Sequence, residues 1–294
     1  PRHLVPLDSP AAEAFRELQT NLRFGVLGQD RRVFAVTSAT EGEGKTTVTA
    51  NLGMILAGSG QRVAIISGDL RRPTIGSIFS ADEDGNGLTT VLLGDATLNS
   101  CLVPVDLPNK RRLALLPSGP RPGDPGDLLG SAAFGQLIKN IRVSLDVDFV
   151  LIDCPPVLPV TDALSIARHV DGVVMIAVAE RTREDALVRA VDRFRSIGTE
   201  VVGIVLNGVP TRGRYRNYTY NAYGYRPRKS APNAAPITSP LVAPLTNGHA
   251  APEGSASTQD EADTQRERPS RVGRAQAGQV GDPTQSVTDG VRVD

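Results

Sequence analysis

The chain has 294 residues, 40 % hydrophobic and only 4 % aromatic, and its 32 basic and 32 acidic residues leave no formal net charge at pH 7. That balance gives no electrostatic case for nucleic acid or an acidic substrate, and no apolar run approaches the ~18 residues a membrane-crossing helix needs. Cys101 and Cys154 lie far apart with no C-x-x-C, which argues against a disulfide scaffold or a cysteine metal site and for two buried, reduced thiols in a cytosolic domain.

In chain order, apolar runs at 33–38, 62–67, 113–117, 148–153, 172–178 and 201–207 read as strands, with helical stretches at 45–58, 127–142, 161–169 and 182–196 between them. The strand runs are continuously apolar, which predicts a sheet covered by helices on both faces. The fold class is therefore α/β, a three-layer fold built on a doubly wound and mostly parallel sheet. Ligands of such sheets bind at the carboxyl ends of the strands.

The first strand runs into S-A-T-E-G-E-G-K-T-T, Ser38 to Thr47, with a helix after it. Ala39 stands where a phosphate loop usually opens on Gly. Thr40, Glu41, Gly42, Glu43, Gly44, Lys45, Thr46 and Thr47 form the candidate nucleotide site. Gly42 and Gly44 let backbone N–H groups face a polyphosphate, Lys45 reaches its terminal phosphates, and the Thr46 hydroxyl serves Mg²⁺. The bland alternative, a Gly-rich turn containing a lysine, does not explain the strand–loop–helix context. The second strand ends in I-I-S-G-D-L-R-R-P with Asp69, Arg71 and Arg72, and the fourth in F-V-L-I-D-C-P-P with Asp153. An isolated strand-end Asp is more often a helix cap. Two of them beside a phosphate loop predict metal work, with Thr46, Asp69 and Asp153 around Mg²⁺ and Lys45, Asp69 and Asp153 as the catalytic set.

All five tyrosines of the chain, Tyr215, Tyr218, Tyr220, Tyr223 and Tyr225, fall in one run. Around them Arg212, Arg214, Arg216, Arg226, Arg228 and Lys229 occur with no acidic residue. Beyond them the composition turns to Ala, Pro, Ser, Thr and Gly without periodicity. The expected organisation is a P-loop domain over 1–210 with an N-terminal oligomerisation helix, a tyrosine cluster at 211–229 and a disordered tail at 230–294.

The phosphate loop, the G-D-L-R-R-P segment, V-L-I-D-C-P-P-V-L-P-V-T-D-A ending in Asp162 and the tyrosine run, in that order, resemble the bacterial tyrosine kinases of capsular and exopolysaccharide synthesis. The resemblance covers roughly residues 8 to 225. It implies ATP and Mg²⁺ as cofactors and Asn207 near the adenine. It also implies a homo-oligomeric ring joined through a helix whose E-x-x-R-x-x-R motif appears here as Glu13, Arg16 and Gln19. Gln19 departs from the motif, with Arg23 one turn on as a substitute. A second departure is Ser67, where the family carries the first of two aspartates. The tyrosines are then autophosphorylation sites presented to a neighbouring subunit. Each phosphate adds about −1.5 to −2, enough in total to reverse the charge of the segment. Further implied partners are other protein-tyrosine substrates and a membrane-spanning activator, on the same or a separate chain, at the cytoplasmic face of the bacterial inner membrane. The opening Pro1, rather than Met, is expected of a piece of a longer polypeptide.

A reading from another class is a nucleotide-switched ATPase scaffold like the partition and division-site ATPases, with weak or no kinase activity. Their loops carry an extra lysine before the glycine stretch; Glu41 stands at that place here. Iron–sulfur carrier ATPases are disfavoured because the cysteines are not paired.

Overall fold

The computed structural model of the chain describes residues 4–25, 32–108, 110–144, 146–210 and 239–243. Helix α1 (Pro10–Gly25) precedes β1 (Val33–Ser38), α2 (Lys45–Gly58) and β2 (Val63–Ser67). Three short helices follow, α3 (Ile75–Ile78), α4 (Leu88–Leu93) and α5 (Leu98–Cys101), then β3 (Val103–Asp106) and β4 (Arg112–Leu116). The rest is α6 (Pro125–Gly130), α7 (Ala132–Ser144), β5 (Phe149–Asp153), α8 (Asp162–Ala167), β6 (Gly172–Val178), α9 (Glu184–Ser196), β7 (Val201–Val209) and β8 (Ser239–Ala243).

The sheet order is β3-β4-β2-β5-β1-β6-β7-β8. The strands from β4 to β7 run parallel, and β3 and β8 pair antiparallel on the two edges. Chain order reverses on either side of β1, which lies between β5 and β6. A crevice opens at such a reversal, outside the carboxyl ends of the strands.

Alternation along β1 shows how the two layers are built. All six of its residues are buried. Val33 and Ala35 join one apolar cluster with Phe134, Ile138 and Phe194 of α7 and α9. Phe34 and Val36 join the other, with Leu52 and Leu56 of α2 and Phe15, Leu18 and Leu22 of α1. Helix α2 is apolar on nearly every side because it is sandwiched between the sheet and α1. In α1 the apolar residues keep to a single stripe, Ala12, Phe15, Leu18 and Leu22, as a helix with one wet face requires. Both cysteines are free and buried.

Several elements differ from the sequence reading, among them the short helices α3, α4 and α5, for which it has no counterpart. The helix expected over 127–142 is two, because Ser131 is extended at ψ 158° between α6 and α7. Strand β3 was missed because only alternate residues of this edge strand are partly covered, so it lacks a continuous apolar run. Within the stretch read as a disordered tail, residues 239–243 pair with β7, with Val205 opposite Val242, a non-local pairing that composition cannot reveal. No helix among the described residues is long and apolar enough to cross a membrane.

Candidate active site

The loop after β1 closes on α2 through two left-handed residues, Gly42 at φ 73° and Gly44 at φ 89°. At Gly44 the need for glycine is also steric: a Cβ there would collide with Asn207 Nδ2. Lys45 opens α2, so its ammonium and the free N–H groups of the first turn face the same crevice, an arrangement suited to anions. The crevice encloses about 570 Å³ and is lined by Glu41, Gly42, Gly44, Lys45, Thr46 and Thr47 on the loop side. Opposite stand Asp69, Arg71, Arg72 and Thr74, with Pro155, Pro156, Pro159 and Val160 as its apolar wall.

Asp153, the last residue of β5, is 1 % exposed. Its Oδ2 accepts the Thr46 hydroxyl at 2.7 Å, while its Oδ1 is buried with no hydrogen-bond partner. Burial pushes this carboxyl up to about 7; the Thr46 hydrogen bond and the Lys45 charge oppose that shift, and Asp69 and Glu83 add to it. Asp69 is also raised, chiefly by burial, although its Oδ1 accepts the Arg72 N–H at 3.0 Å. A buried oxygen without a partner next to a hydroxyl and a second carboxylate is the donor set of a cation that shares its shell with phosphate. Among the described residues no three acidic, His or Cys groups could hold a metal alone. Mg²⁺ takes one or two carboxylates and fills its octahedron with phosphate oxygens and water, and Asp153 and Asp69 beside the Thr46 hydroxyl offer that number. The residues fit the ion the sequence implied.

Two ion pairs frame the crevice. Arg71 forks onto the fully buried Asp162, Nε to Oδ2 at 2.7 Å and Nη2 to Oδ1 at 3.0 Å. Arg72 reaches Glu41 at 2.7 Å, joining the phosphate loop to the segment after β2 at the exposed mouth. The Arg71–Asp162 fork had no warning in the sequence beyond both residues belonging to motif segments 91 positions apart.

Other expected site residues lie nearby without lining the crevice. Glu43 is buried; its carboxylate accepts the Thr40 N–H at 2.8 Å and the Thr182 hydroxyl, so its side chain braces the loop from behind. Thr182, which also accepts the Val178 N–H at 2.7 Å, had not been singled out in the sequence. Asn207 donates to the Glu43 carbonyl at 3.1 Å and accepts the Gly208 N–H at 2.9 Å. Both ends of its amide are thus engaged around the phosphate loop.

On α1 the three residues that stand in the E-x-x-R-x-x-R motif do not share surroundings. Glu13 and Arg16 pair with each other on the surface at 2.6 Å. Gln19 is 6 % exposed and turns inward to hydrogen-bond the Ser59 hydroxyl after α2. Its uncharged amide belongs to the α1–α2 packing, while Arg23 is exposed on the same helix. The five tyrosines lie outside the described residues.

A switch-point crevice with a phosphate loop and a hydroxyl-bound strand-end carboxylate defines the class: a nucleotide-binding P-loop protein. The matching family model is ParA, "NUBPL iron-transfer P-loop NTPase", over residues 29–223. Within that class the chain is 34 % identical to the tyrosine-protein kinase CpsD of Streptococcus agalactiae, over 74 % of this chain and 91 % of the relative. The kinase domain of the Escherichia coli tyrosine kinase ETK superposes with TM-score 0.66 at 29 % identity, covering 76 % of this chain and 86 % of that one. The Pyrococcus horikoshii septum site-determining protein MinD, solved with Mg-ADP, superposes less well, at TM-score 0.50 and 26 % identity over 59 % of this chain and 69 % of its own. The chain belongs to the bacterial tyrosine-protein kinase family.

Proposed function

We propose that the chain is an ATP-dependent tyrosine autokinase that controls exopolysaccharide or capsule synthesis and export, acting on the tyrosine cluster of a neighbouring subunit in a ring. The observation that carries the reading is the Thr46–Asp153 pair with its partnerless Oδ1 beside Lys45, in a chain that gathers all its tyrosines at 215–225. The loop N–H groups and Lys45 bind the phosphates. Thr46, Asp69 and Asp153 would hold Mg²⁺, which when bound would neutralise charge on the phosphates. Arg71, held by Asp162, keeps a guanidinium at the wall of the crevice. The family resemblance supports Asn207 on the base side of the nucleotide, its amide held beside the phosphate loop by the Glu43 carbonyl. The tyrosine oxygen forms its bond to the γ-phosphorus as the bond to the ADP oxygen breaks, ADP leaves, and the hydroxyl proton passes to solvent water. The family resemblance supports a membrane-spanning activator and a site of action at the cytoplasmic face of the inner membrane.

The test mixes two chains with labelled ATP: one Lys45→Met with intact tyrosines, the other active with all five tyrosines changed to Phe. Label on the first chain, falling with dilution or with Arg16→Ala, is the expected result. Free phosphate without labelled protein in the parent would instead favour the ATPase switch. Parent labelling with neither mixed chain labelled would mean transfer within one subunit, and the ring would be wrong.

A further inference from the structure

Glu83 was not singled out in the sequence, yet it joins three segments around the acidic side of the crevice. Its Oε1 accepts the N–H of Gly76 at the start of α3, and its Oε2 accepts the N–H of Ser118, just beyond β4, at 2.8 Å. The Ser118 hydroxyl returns a hydrogen bond to the Glu83 carbonyl at 3.0 Å. The same Oε1 faces the Ser67 hydroxyl at 3.5 Å. Ser67 ends β2, is 1 % exposed, and stands opposite Asp153 in the β2–β5 register.

This arrangement bears on the site in two ways. First, the strand end next to Asp153 carries a neutral hydroxyl in Ser67, but a carboxylate from another segment lies against that hydroxyl. The charge is supplied from residue 83 rather than 67, and it is close enough to act on Asp153. Second, the Gly76 N–H fixes the far end of the loop whose Asp69, Arg71, Arg72 and Thr74 form one wall of the crevice. Thr74 donates to the Thr46 hydroxyl at 3.3 Å, and Thr46 donates on to Asp153. A carboxylate taking two backbone N–H groups is held in one orientation, as a group that must position others requires.

We propose that Glu83 is a positioning residue of the phosphoryl-transfer site: it places at the end of β2 the negative charge that Ser67 lacks and fixes the Asp69–Thr74 wall over the phosphate loop. The inference rests on the kinase reading of the site. It concerns the rate of transfer more than the affinity for nucleotide, because Glu83 lies behind the crevice and does not line it.

Three variants of the full chain test it: Glu83→Gln, Ser67→Asp and the two combined. Label on tyrosine and released phosphate are both followed, and unfolding is monitored in parallel. Glu83→Gln should lower kcat by at least about tenfold, as loss of an outer-shell partner does, with the KM for ATP within about twofold of the parent. Ser67→Asp alone should lower kcat, since it sets two carboxylates side by side. Combined with Glu83→Gln, it should recover most of the lost rate, because the charge returns to the end of β2 and the glutamine oxygen still accepts one of the two backbone N–H groups. A gain in kcat from Ser67→Asp in the parent would show that the place was vacant and would overturn the proposal even if Glu83→Gln fails to fold. So would a double variant no faster than Glu83→Gln. Should the parent release phosphate without labelling tyrosine, the kinase reading fails; the same ordering of variants in phosphate release then decides the role of Glu83 separately.

Discussion

The Asp153→Asn variant should be stabilised above neutral pH in its nucleotide-free form while losing its response to Mg²⁺ and ATP. In the folded chain burial holds the Asp153 carboxyl up to about 7, against an ordinary value of 3.8. The folded state therefore keeps a proton that the unfolded chain has already released. Stability from this group is whole below about pH 4 and is lost as pH rises towards 7, with little further change above it. The gap amounts to about 4 kcal/mol in all, at about 1.4 kcal/mol per pH unit, and about 3 kcal/mol of that is lost between pH 5 and pH 8. An asparagine side chain at this position would still accept the Thr46 hydroxyl. Its amide N–H₂, turned to where Oδ1 has no partner, costs about 1–3 kcal/mol, but equally at every pH. The difference in Tm between variant and parent should then shift in the variant's favour by about 6–12 °C from pH 5 to pH 8. Thermal unfolding followed by circular dichroism, with chelator and without nucleotide, measures it directly. A difference in Tm that does not change with pH would mean that Asp153 is ionised throughout, and the argument from its burial would be refuted.

Lys45→Met should reduce autophosphorylation by at least about a hundredfold and leave the cooperative melt in place, since Lys45 stands at the crevice and not in an apolar cluster; retained labelling would exclude the loop as the active site. Gly44→Ala must hold a left-handed φ of 89° with its methyl against Asn207; it should lose about 1–2 kcal/mol of stability and weaken nucleotide binding by calorimetry, and unchanged affinity would count against the close approach of Asn207. Arg71→Ala leaves the buried Asp162 unpaired and should cost about 3 kcal/mol in urea unfolding. Adding Asp162→Asn should restore part of that, and strict additivity of the two would show that the fork contributes nothing.

The sheet and the phosphate loop were legible because their signals are local. A continuously apolar strand, a glycine pair and a lysine at the helix start carry their meaning within about ten residues, and each occupies the element it was read into. Partners distant in sequence could not be read this way. Gln19 resembled a weakened member of a surface motif, because helical spacing alone does not say which side of α1 meets α2; only its bond to Ser59, 40 residues on, decides that. Glu43 sat inside the nucleotide motif, yet its side chain turns away to Thr182, 139 residues later. Ser67 stands in the motif as a missing charge, because the motif runs along a single segment. The site is assembled across the ends of several strands, so a carboxylate absent from β2 can be delivered by the chain between α3 and α4. The motif shows which residue type is absent from a position. Whether the charge itself has been lost depends on what packs against that position, and here that is Glu83.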